Sequence, residues 1–545
     1  MANERIQKGV SRRGFLKGCA ALGGGAALGM TGAQAEGAGG RSVNVREYHV
    51  SLSIDALSAD PELAGVIRDA GVGHVWLACF FHGNWHHSID DVLAWKARLE
   101  KAGMAVHNIT VPLGHPTFTD TQPDYMPQVP LGRWKPGVRP DGRTYRGVSL
   151  HAPATEENVA ALRRIKTTDP KVVFVDDDFR LAPSPDDIGG CFCPKHRERF
   201  LQKHAYSETQ WQELLEAVHA RELTPLLRAW LNDTCDELTA SFRAQQEALA
   251  PQAQLGIMVM YLGSEKAGIR LTDYCDVPFR VGELMFNDAS FAPIKGKTNE
   301  LFSALFHRRF VEPGLAYSET TAWPPDKLSA ANMAAKLAVS TICDVRNTMF
   351  MSGNTPFPRT HWEVLAGAMQ KQAALHEQLA GHTPRGPFKH YWGEHSRWAG
   401  DANPYSLFLA SGVPFEVTDE PARDGWTFLA DADARAAYTG RGTSPGTTFV
   451  CRPEAKVTLE NARTVAESLP ELFALKHEVL PELGRVPFVE QDTPAVCAWY
   501  PAARAVLLWN LAEQRREMTV RYGDLRRTAT LDGLGCALLR DVGPT

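Results

Sequence analysis

Short, mostly apolar segments recur between residues 48 and 379 of this 545-residue chain, and stretches with helical character separate them. Such segments, bounded by turn-forming residues, are typical of strands buried in a parallel sheet. Eight strands are predicted, at residues 48–54, 74–81, 105–111, 172–175, 255–262, 281–286, 315–321 and 348–351. A helix at residues 361–379 is predicted to complete the series.

Eight strand–helix units in series predict an α/β fold in which a (β/α)8 TIM barrel occupies residues 45–383. The alternative is a doubly wound sheet, which commonly carries a glycine-rich phosphate turn after its first strand. No such turn follows Ile54. The sequence therefore favours the barrel.

Beyond Pro384 the pattern changes twice. Short apolar segments at residues 406–409, 415–417 and 427–429, with helical stretches between them, predict a small α/β domain of flavodoxin-like type over residues 384–485. Alternating segments at residues 496–500, 505–509, 518–522 and 527–531 predict an antiparallel β domain over residues 490–545.

Charge and hydropathy exclude two broad classes of partner. The formal charge is −5, from 58 basic and 63 acidic residues that are well mixed along the chain. Since no long basic run is present, nucleic acid is not an expected partner. No apolar run reaches the roughly 18 residues that a membrane span needs, so no membrane association is expected of the mature chain.

The first 35 residues have the three parts of a twin-arginine export signal. Arg12 and Arg13 lie in the motif Ser-Arg-Arg-Gly-Phe-Leu-Lys, and a weakly apolar stretch follows at residues 19–32. The sequence Ala-Gln-Ala at residues 33–35 then fits a cleavage site. The expected location is therefore periplasmic or secreted, and the ten widely scattered cysteines do not form the pattern of a disulfide framework.

Three consecutive carboxylates, Asp176, Asp177 and Asp178, stand where the apolar strand at residues 172–175 must end. A buried carboxylate is costly unless it is paired, so such a run at a strand end indicates a functional site. The alternative is a solvated loop in which one of them caps a turn. Arg180 is the expected electrostatic neighbour, and Glu319 is a second carboxylate within an apolar strand.

A barrel places its active site at the carboxyl ends of its strands. The carboxylates of strand four and strand seven are therefore expected to meet there. A pair of carboxylates suits glycoside hydrolysis, with an oligosaccharide or other glycoside as substrate and no cofactor required for catalysis. The residues expected to contact the substrate, besides Arg180, are Asn84, Trp85, His86, Asn108, Glu283 and Trp323. Trp134 is a further aromatic candidate, and each tryptophan is equally compatible with core packing.

Two other functions remain open from the residues alone. His82, His86 and His87 are compatible with a catalytic metal, given a third ligand such as His49, His107 or Asp178, which would make the chain a metal-dependent hydrolase or isomerase. A non-catalytic carbohydrate-binding barrel is the other alternative. The presence of both sets of carboxylates argues against it.

The chain resembles the clan-A glycoside hydrolases in the order of its parts. A barrel with acidic residues after strand four and Glu319 on strand seven comes first, a small α/β domain follows, and a short β domain comes last. This layout is similar to that of the family 42 β-galactosidases, from about residue 45 to residue 545. The resemblance implies that Glu319 is the nucleophile of a retaining reaction. It implies an acid/base at Asp178, with Asp177 as second candidate, although Asp177–Asp178 replaces the Asn-Glu of the clan and identifies a divergent member. It also implies a homo-oligomer, a trimer or a dimer.

Cys191, Cys193 and His196 form a second motif, Cys-x-Cys-x-x-His, just after the aspartates. With one more ligand from elsewhere these side chains suit a structural zinc ion. The resemblance adds to this reading, because family 42 enzymes often carry a cysteine-bound zinc near this part of the barrel. The alternative is a plain loop in which Pro194 begins a helix.

The export signal yields a direct prediction. Replacing Arg12 and Arg13 together by Lys keeps the charge but removes the arginine pair, so the precursor is expected to stay in the cytoplasm. Cell fractionation followed by immunoblotting measures the distribution, with Lys8→Arg as a control that leaves the pair intact. Normal export of the double variant would refute the assignment.

Overall fold

Eight parallel strands close into a barrel, as the sequence predicts. The structure is a computed structural model and describes residues 45–113, 133–176, 179–259, 261–438, 447–457, 462–481 and 485–543. The barrel strands are β1 (Glu47–Leu52), β2 (His74–Phe81), β3 (Ala105–Val111), β4 (Val172–Val175), β5 (Gln254–Val259), β6 (Phe279–Val281), β7 (Ala316–Thr321) and β8 (Asn347–Met351).

Each strand pairs with its neighbours in chain order, and β8 pairs with β1 to close the ring. In that closing ladder Tyr48 is opposite Thr348 and Val50 is opposite Phe350. All eight strands run in the same direction, so their carboxyl ends open at one mouth of the barrel.

Helices cover the outside of the barrel. The connections contain Ile54–Ala59 and Leu63–Ala70 after β1, Ile89–Lys101 after β2, Ala154–Ile165 after β3, and Pro194–His204, Glu208–Ala220 and Pro225–Leu249 after β4. Two 3-10 helices, Glu265–Ala267 and Leu271–Tyr274, follow β5. Asp288–Phe291 and Ile294–His307 follow β6, Ala330–Cys343 follows β7, and Arg359–Glu377 follows β8.

Strand β6 differs from its predicted position at residues 281–286. It begins at Phe279 and ends at Val281, although the N–H of Gly282 still donates to the carbonyl of Val259 at 2.8 Å. Arg280 therefore lies inside a barrel strand, and Glu283 lies just beyond the strand's end.

Alternation along the strands fills the barrel interior. Side chains at every second position point inward, and a buried apolar cluster that includes Trp76, Ile109, Phe174, Tyr317 and Met349 occupies the centre. Trp76 and Phe174 have ring centroids 4.8 Å apart. The barrel interior is a packed core, and a cavity with space for a ligand lies above it at the mouth.

The connection between β3 and its helix carries a two-stranded hairpin, Pro136–Val138 with Thr144–Val148. The hairpin also contacts the connection after β4, because the N–H of Phe192 donates to the carbonyl of Val138 at 2.9 Å. This backbone hydrogen bond ties the connection after β3 to the connection after β4.

A five-stranded parallel sheet follows the barrel. Its strands are β9 (Phe388–Tyr391), β10 (Phe415–Thr418), β11 (Gly425–Leu429), β12 (Thr447–Cys451) and β13 (Ala462–Thr464), with helices Glu394–Trp398, Asp431–Tyr438 and Leu469–Val479. The order β10-β9-β11-β12-β13 is that of flavodoxin. The strand predicted at residues 406–409 is wrong. Ser406–Ala410 is a 3-10 helix, since a short apolar run fits a buried helix as well as a strand.

The last strands form two three-stranded antiparallel sheets. These strands are β14 (Phe488–Val489), β15 (Ala495–Tyr500), β16 (Ala505–Asn510), β17 (Arg516–Tyr522), β18 (Leu525–Leu531) and β19 (Cys536–Arg540). One sheet has the order β14-β17-β18 and the other β15-β16-β19. Among the helices that the structure describes, none has both the length and the apolar character needed to cross a bilayer.

Candidate active site

A cavity of about 580 Å³ opens at the carboxyl ends of the barrel strands. Its walls include residues from all eight strands or the connections that follow them. The polar and aromatic residues that line it include Asp55, His82, His86, His87, Asp176, Arg180, Glu283, Glu319, Thr321 and Trp323.

Strand β7 places Glu319 at the floor of this cavity. Alternation puts Tyr317, Glu319 and Thr321 on the inward face of the strand. Glu319 is only 4 % exposed, so its carboxylate needs compensating contacts. The hydroxyl of Thr321 donates to its Oε1 at 2.5 Å.

Asp176 reaches the same floor from the end of β4. Its N–H donates to the carbonyl of Thr110 at 2.8 Å, which continues the ladder one residue past the strand. Alternation after Phe174 turns its side chain inward, where it is 5 % exposed. Asp176, the one aspartate of the run that lies in the described part of the chain, therefore faces the cavity.

Arg280 of β6 joins the two carboxylates. Its guanidinium pairs through Nη2 with Asp176, and its Nε lies 3.3 Å from Oε2 of Glu319. The side chain is fully buried, and its guanidinium carbon lies 5.3 Å from the ring centre of Phe174. Burial lowers the pKa of Arg280, and the carboxylate of Glu319 opposes that effect.

Glu283 belongs to a second charged group beside the first. Its Oε2 lies 2.5 Å from Nζ of Lys336, which is also 3.8 Å from Glu300. Burial, together with the nearby Glu300 and Glu319, raises the pKa of Glu283 well above its usual range, although Lys336 opposes the shift. The wall of the cavity therefore contains a carboxyl group that tends to keep its proton.

The predicted residues divide into three groups by location. Asp177 and Asp178 lie outside the described residues. Arg180, His86, Glu283, Glu319 and Trp323 line the cavity. Arg180 is held in the wall by its Nε, which donates to the carbonyl of Ala182 at 3.0 Å.

Asn84, Trp85 and Asn108 are placed elsewhere. The amide of Asn84 donates to the carbonyl of His82 at 2.9 Å on the exposed side of the connection. Trp85 packs against Phe80 and lies under the guanidinium of Arg164, on the outside of the barrel.

Asn108 faces the helical layer because its neighbours Ile109 and His107 alternate with it across β3. Its amide donates to Sγ of Cys79 at 3.0 Å, and its oxygen accepts from the hydroxyl of Thr168 at 2.9 Å. Trp134 is a core residue whose Nε1 donates to Glu157 at 3.0 Å.

Within the described part of the chain, the cavity histidines do not form a ligand group with His49 or His107, and the other proposed third ligand, Asp178, lies outside that part. His82, His86 and His87 line the mouth, and His87 lies 3.8 Å from Asp55. His49 and His107 lie at the opposite end of the barrel, beside His74. Among the described residues, the groups with metal-ligand spacing are that trio and the cysteine cluster described below.

The trio at the barrel's amino-terminal end is an internal hydrogen-bond network. Nδ1 of His49 accepts from the indole N–H of Trp76 at 3.2 Å, and its Nε2 lies 3.2 Å from Oδ1 of Asn347. The amide nitrogen of Asn347 donates to the carbonyls of Gly314 and Ala316, which fixes its orientation. Both nitrogens of His49 are therefore occupied.

Cys191, Cys193 and His196 come together with a fourth side chain, His151. One ligand atom from each lies within 4.8 Å of all the others. Sγ of Cys193 is 3.3 Å from Nε2 of His151 and 3.1 Å from Nδ1 of His196. The other nitrogen of His196 lies 3.0 Å from Glu237, the contact that commonly orients a metal-binding imidazole.

Three site residues escape the sequence analysis: Arg280, Thr321 and His151. Arg280 carries the same signal as Glu319, an ionisable residue within an apolar strand, but the predicted strand six began one residue after it. Thr321 has no distinctive signal. His151 follows a long proline- and glycine-rich stretch, and only the folded chain shows that it meets the cysteines.

No protein-family model matches the chain, and no curated protein matches it. Three solved structures with a similar fold are an alpha-L-fucosidase isoenzyme 2, an exo-beta-1,4-mannosidase and fungal beta-1,4-galactanases. The fucosidase, from Paenibacillus thiaminolyticus, is 12 % identical over 89 % of this chain and 73 % of its own, with a TM-score of 0.47. The mannosidase, Op5Man5 from Opitutaceae bacterium strain TAV5, is 9 % identical over 90 % and 91 %, with a TM-score of 0.41. The galactanase structure is 10 % identical over 59 % and 99 %, with a TM-score of 0.32.

Proposed function

We propose that the chain is a glycoside hydrolase, with Glu319 as nucleophile and an aspartate after β4 as the acid/base. The observation that supports this is the meeting of two buried carboxylates, from the ends of β4 and β7, across one guanidinium at the floor of a cavity. Paired carboxylates facing one cavity are what glycosidic bond cleavage requires.

Glu319 suits the nucleophile because its surroundings favour the ionised form. Arg280 places a positive charge next to it, and Thr321 donates a hydrogen bond to it. In a retaining reaction its Oε attacks the anomeric carbon while the glycosidic C–O bond breaks. The leaving oxygen takes a proton from the acid, and a water molecule later releases the sugar with the same residue acting as base.

Asp178 is the proposed proton donor, with Asp177 as the second candidate. The alternation of the sequence predicts Asp178 on the same side of the chain as Asp176. Asp176 itself is bound to Arg280, which favours its ionised form and makes it a poor proton donor.

The remaining wall suits a polyhydroxylated substrate. His82, His86 and Arg180 offer hydrogen-bond donors around the floor, and Glu283 offers a carboxyl group. Trp323 is 36 % exposed at the rim and provides a flat apolar surface for a sugar face.

The nucleophile is tested by Glu319→Gln, which keeps the shape of the side chain and removes its charge. Turnover of the best substrate in a panel of aryl glycosides is expected to fall by several orders of magnitude, while circular dichroism and the melting temperature remain close to those of the wild type. Glu312→Gln, on the exposed loop before β7, is the matched control. Near-normal turnover by Glu319→Gln would remove the proposal and favour a reaction centred on the cavity histidines.

The proton donor is tested separately by Asp178→Asn. Substrates with poor leaving groups need protonation, so their kcat/KM is expected to fall by about 100-fold to 10,000-fold. Substrates with good leaving groups, such as dinitrophenyl glycosides, should lose much less. An equal loss on both kinds of substrate would assign Asp178 another role, and the same comparison on Asp177→Asn would then decide between the two.

We also propose that His151, Cys191, Cys193 and His196 hold a structural metal ion, with zinc as the expected metal. Two thiols and two imidazoles are a donor set that suits tetrahedral zinc. The ligand atoms lie within 4.8 Å of one another, and Glu237 is in place to orient His196. The ion would link the connection after β3, which carries His151, to the connection after β4, which carries the other three ligands.

Metal content tests this proposal without an activity assay. Purified wild-type protein is expected to contain about one zinc per chain, and Cys193→Ser and His151→Ala are each expected to lose it. Inductively coupled plasma mass spectrometry measures the content, with Cys275→Ser as a control cysteine outside the cluster. Equal zinc in Cys193→Ser and the wild type would leave the four residues as an ordinary hydrogen-bonded cluster.

A further inference from the structure

We propose that Arg280 is a positioning residue that holds Asp176 and Glu319 as one carboxylate–guanidinium–carboxylate unit beneath the cavity. Asp176 then supports the nucleophile through Arg280 and does not donate the catalytic proton. This inference rests on the proposed function, and it adds Arg280 as a residue that orients and charges the nucleophile without contacting the substrate.

The geometry of the unit supports this role. Arg280 enters from β6, between the carboxylates of β4 and β7, and its guanidinium contacts both. A guanidinium is planar and offers several N–H donors in a fixed fork, so one group can serve two carboxylates. A lysine ammonium at the same place is a single point charge on a flexible stem.

Burial means that the three charged groups need one another in the folded protein. Arg280 is 0 % exposed, and its Nη1 lies 3.0 Å from the sulfur of Met349 on β8. Removing one partner of a buried charge pair leaves the other charge uncompensated, which is strongly unfavourable. The protein therefore keeps both carboxylates close to the guanidinium.

Several other charged groups near Glu319 come from elements packed around β7. Arg280 is on β6, Asp176 follows β4, and Glu283 follows β6, whereas Glu300 and Lys336 come from the helices Ile294–His307 and Ala330–Cys343. Lys336 pairs with Glu283 and also faces Glu300. Among these described groups, Arg280 is the cation in direct contact with Glu319.

The contact with Arg280 has a consequence for the protonation of the two carboxyl groups in the reaction. Arg280 places a positive charge beside Glu319, which favours the anionic form of that carboxylate before substrate binds. Asp176 receives the same stabilisation. A general acid must hold a proton in the enzyme–substrate complex, so the acid has to come from another residue.

The pH dependence of kcat/KM tests the role of Arg280. The acid limb of that profile reports the ionisation of the nucleophile in the free enzyme. In Arg280→Met the carboxyl loses its adjacent positive charge, so the midpoint of the acid limb is expected to move up by about 1 to 3 pH units. Arg280→Lys is expected to show a smaller upward shift because it keeps a charge but loses the fork.

The matched control is Arg46→Met. Arg46 is also buried, but its guanidinium donates to the hydroxyls of Thr341 and Thr348 instead of a carboxylate. A merely structural arginine affects stability and leaves the acid limb in place. An unchanged midpoint in folded Arg280→Met and Arg280→Lys would overturn the proposal.

A labelling experiment separates this inference from the proposed function, because it does not need turnover. A carbodiimide with an amine nucleophile modifies protonated carboxyl groups, and peptide mass spectrometry reads the yield at Glu319 as a function of pH. The midpoint of labelling is expected to rise by about 1 to 3 units in Arg280→Met relative to the wild type. A wild type that hydrolyses no glycoside but shows this shift would refute the proposed function alone, and an active enzyme without the shift would refute the role of Arg280 alone.

Asp176→Asn completes the test and covers the case in which the arginine variants do not fold. As a supporting carboxylate, Asp176 should be equally important for substrates with good and poor leaving groups, so the ratio of the two kcat/KM values stays within about threefold of the wild type. Loss confined to poor leaving groups would show instead that Asp176 is the proton donor.

Discussion

The backbone ladder between β1 and β8 is the interaction on which the position of every cavity residue depends. Once these strands pair, all eight carboxyl ends lie at one mouth of the barrel. The connections that follow the strands then surround a single cavity. Alternation then decides which side chains point to that centre. The inward position of Arg280 and Glu319 follows from the register of the strands that carry them.

Several charged side chains are buried at the floor and in the wall of the cavity. The packed cluster around Trp76 and Phe174 closes the interior below, so the carboxylates of Asp176 and Glu319 depend on protein groups for compensation. Arg280 supplies that compensation at the floor, and Lys336 supplies it for Glu283 in the adjacent wall. Burial and the nearby Glu300 raise the pKa of Glu283 in spite of Lys336, whereas Arg280 favours the ionised form of Glu319. Carboxyl groups whose surroundings act in opposite directions are a common basis for dividing acid and base roles.

The barrel was predictable from the sequence because its strands are short apolar runs in a regular order. The predicted strands 74–81, 105–111 and 172–175 coincide with β2, β3 and β4. Glu319 was identifiable because a carboxylate in such a strand requires a partner. Its partner Arg280 was missed because the edge of β6 was displaced by two residues, and strand ends are weakly defined by apolar pattern alone.

Other site residues depend on information that a local pattern does not contain. Asn108 looked like a mouth residue, yet the alternation set by Ile109 turns it to the helices. Trp85 lies in a two-residue strand that pairs antiparallel with the end of β2, opposite Phe80, and its ring packs between Phe80 and Arg164 on the outside of the barrel. The roles of Asp177 and Asp178 stay predictions, since they lie outside the described part of the chain.

The cluster of His151 with the cysteines has a consequence for the unfolded chain as well as for the folded one. His151 and Cys193 are 42 positions apart, and the segment between them contains the helix Ala154–Ile165 and the strand β4. A metal ion held by both ends would close this segment into a ring. By the loop-closure estimate used for disulfides, such a cross-link removes about 4 kcal/mol of conformational entropy from the unfolded state. The unfolded chain would then have fewer accessible conformations around β4, the strand that precedes the aspartates, than without the ion.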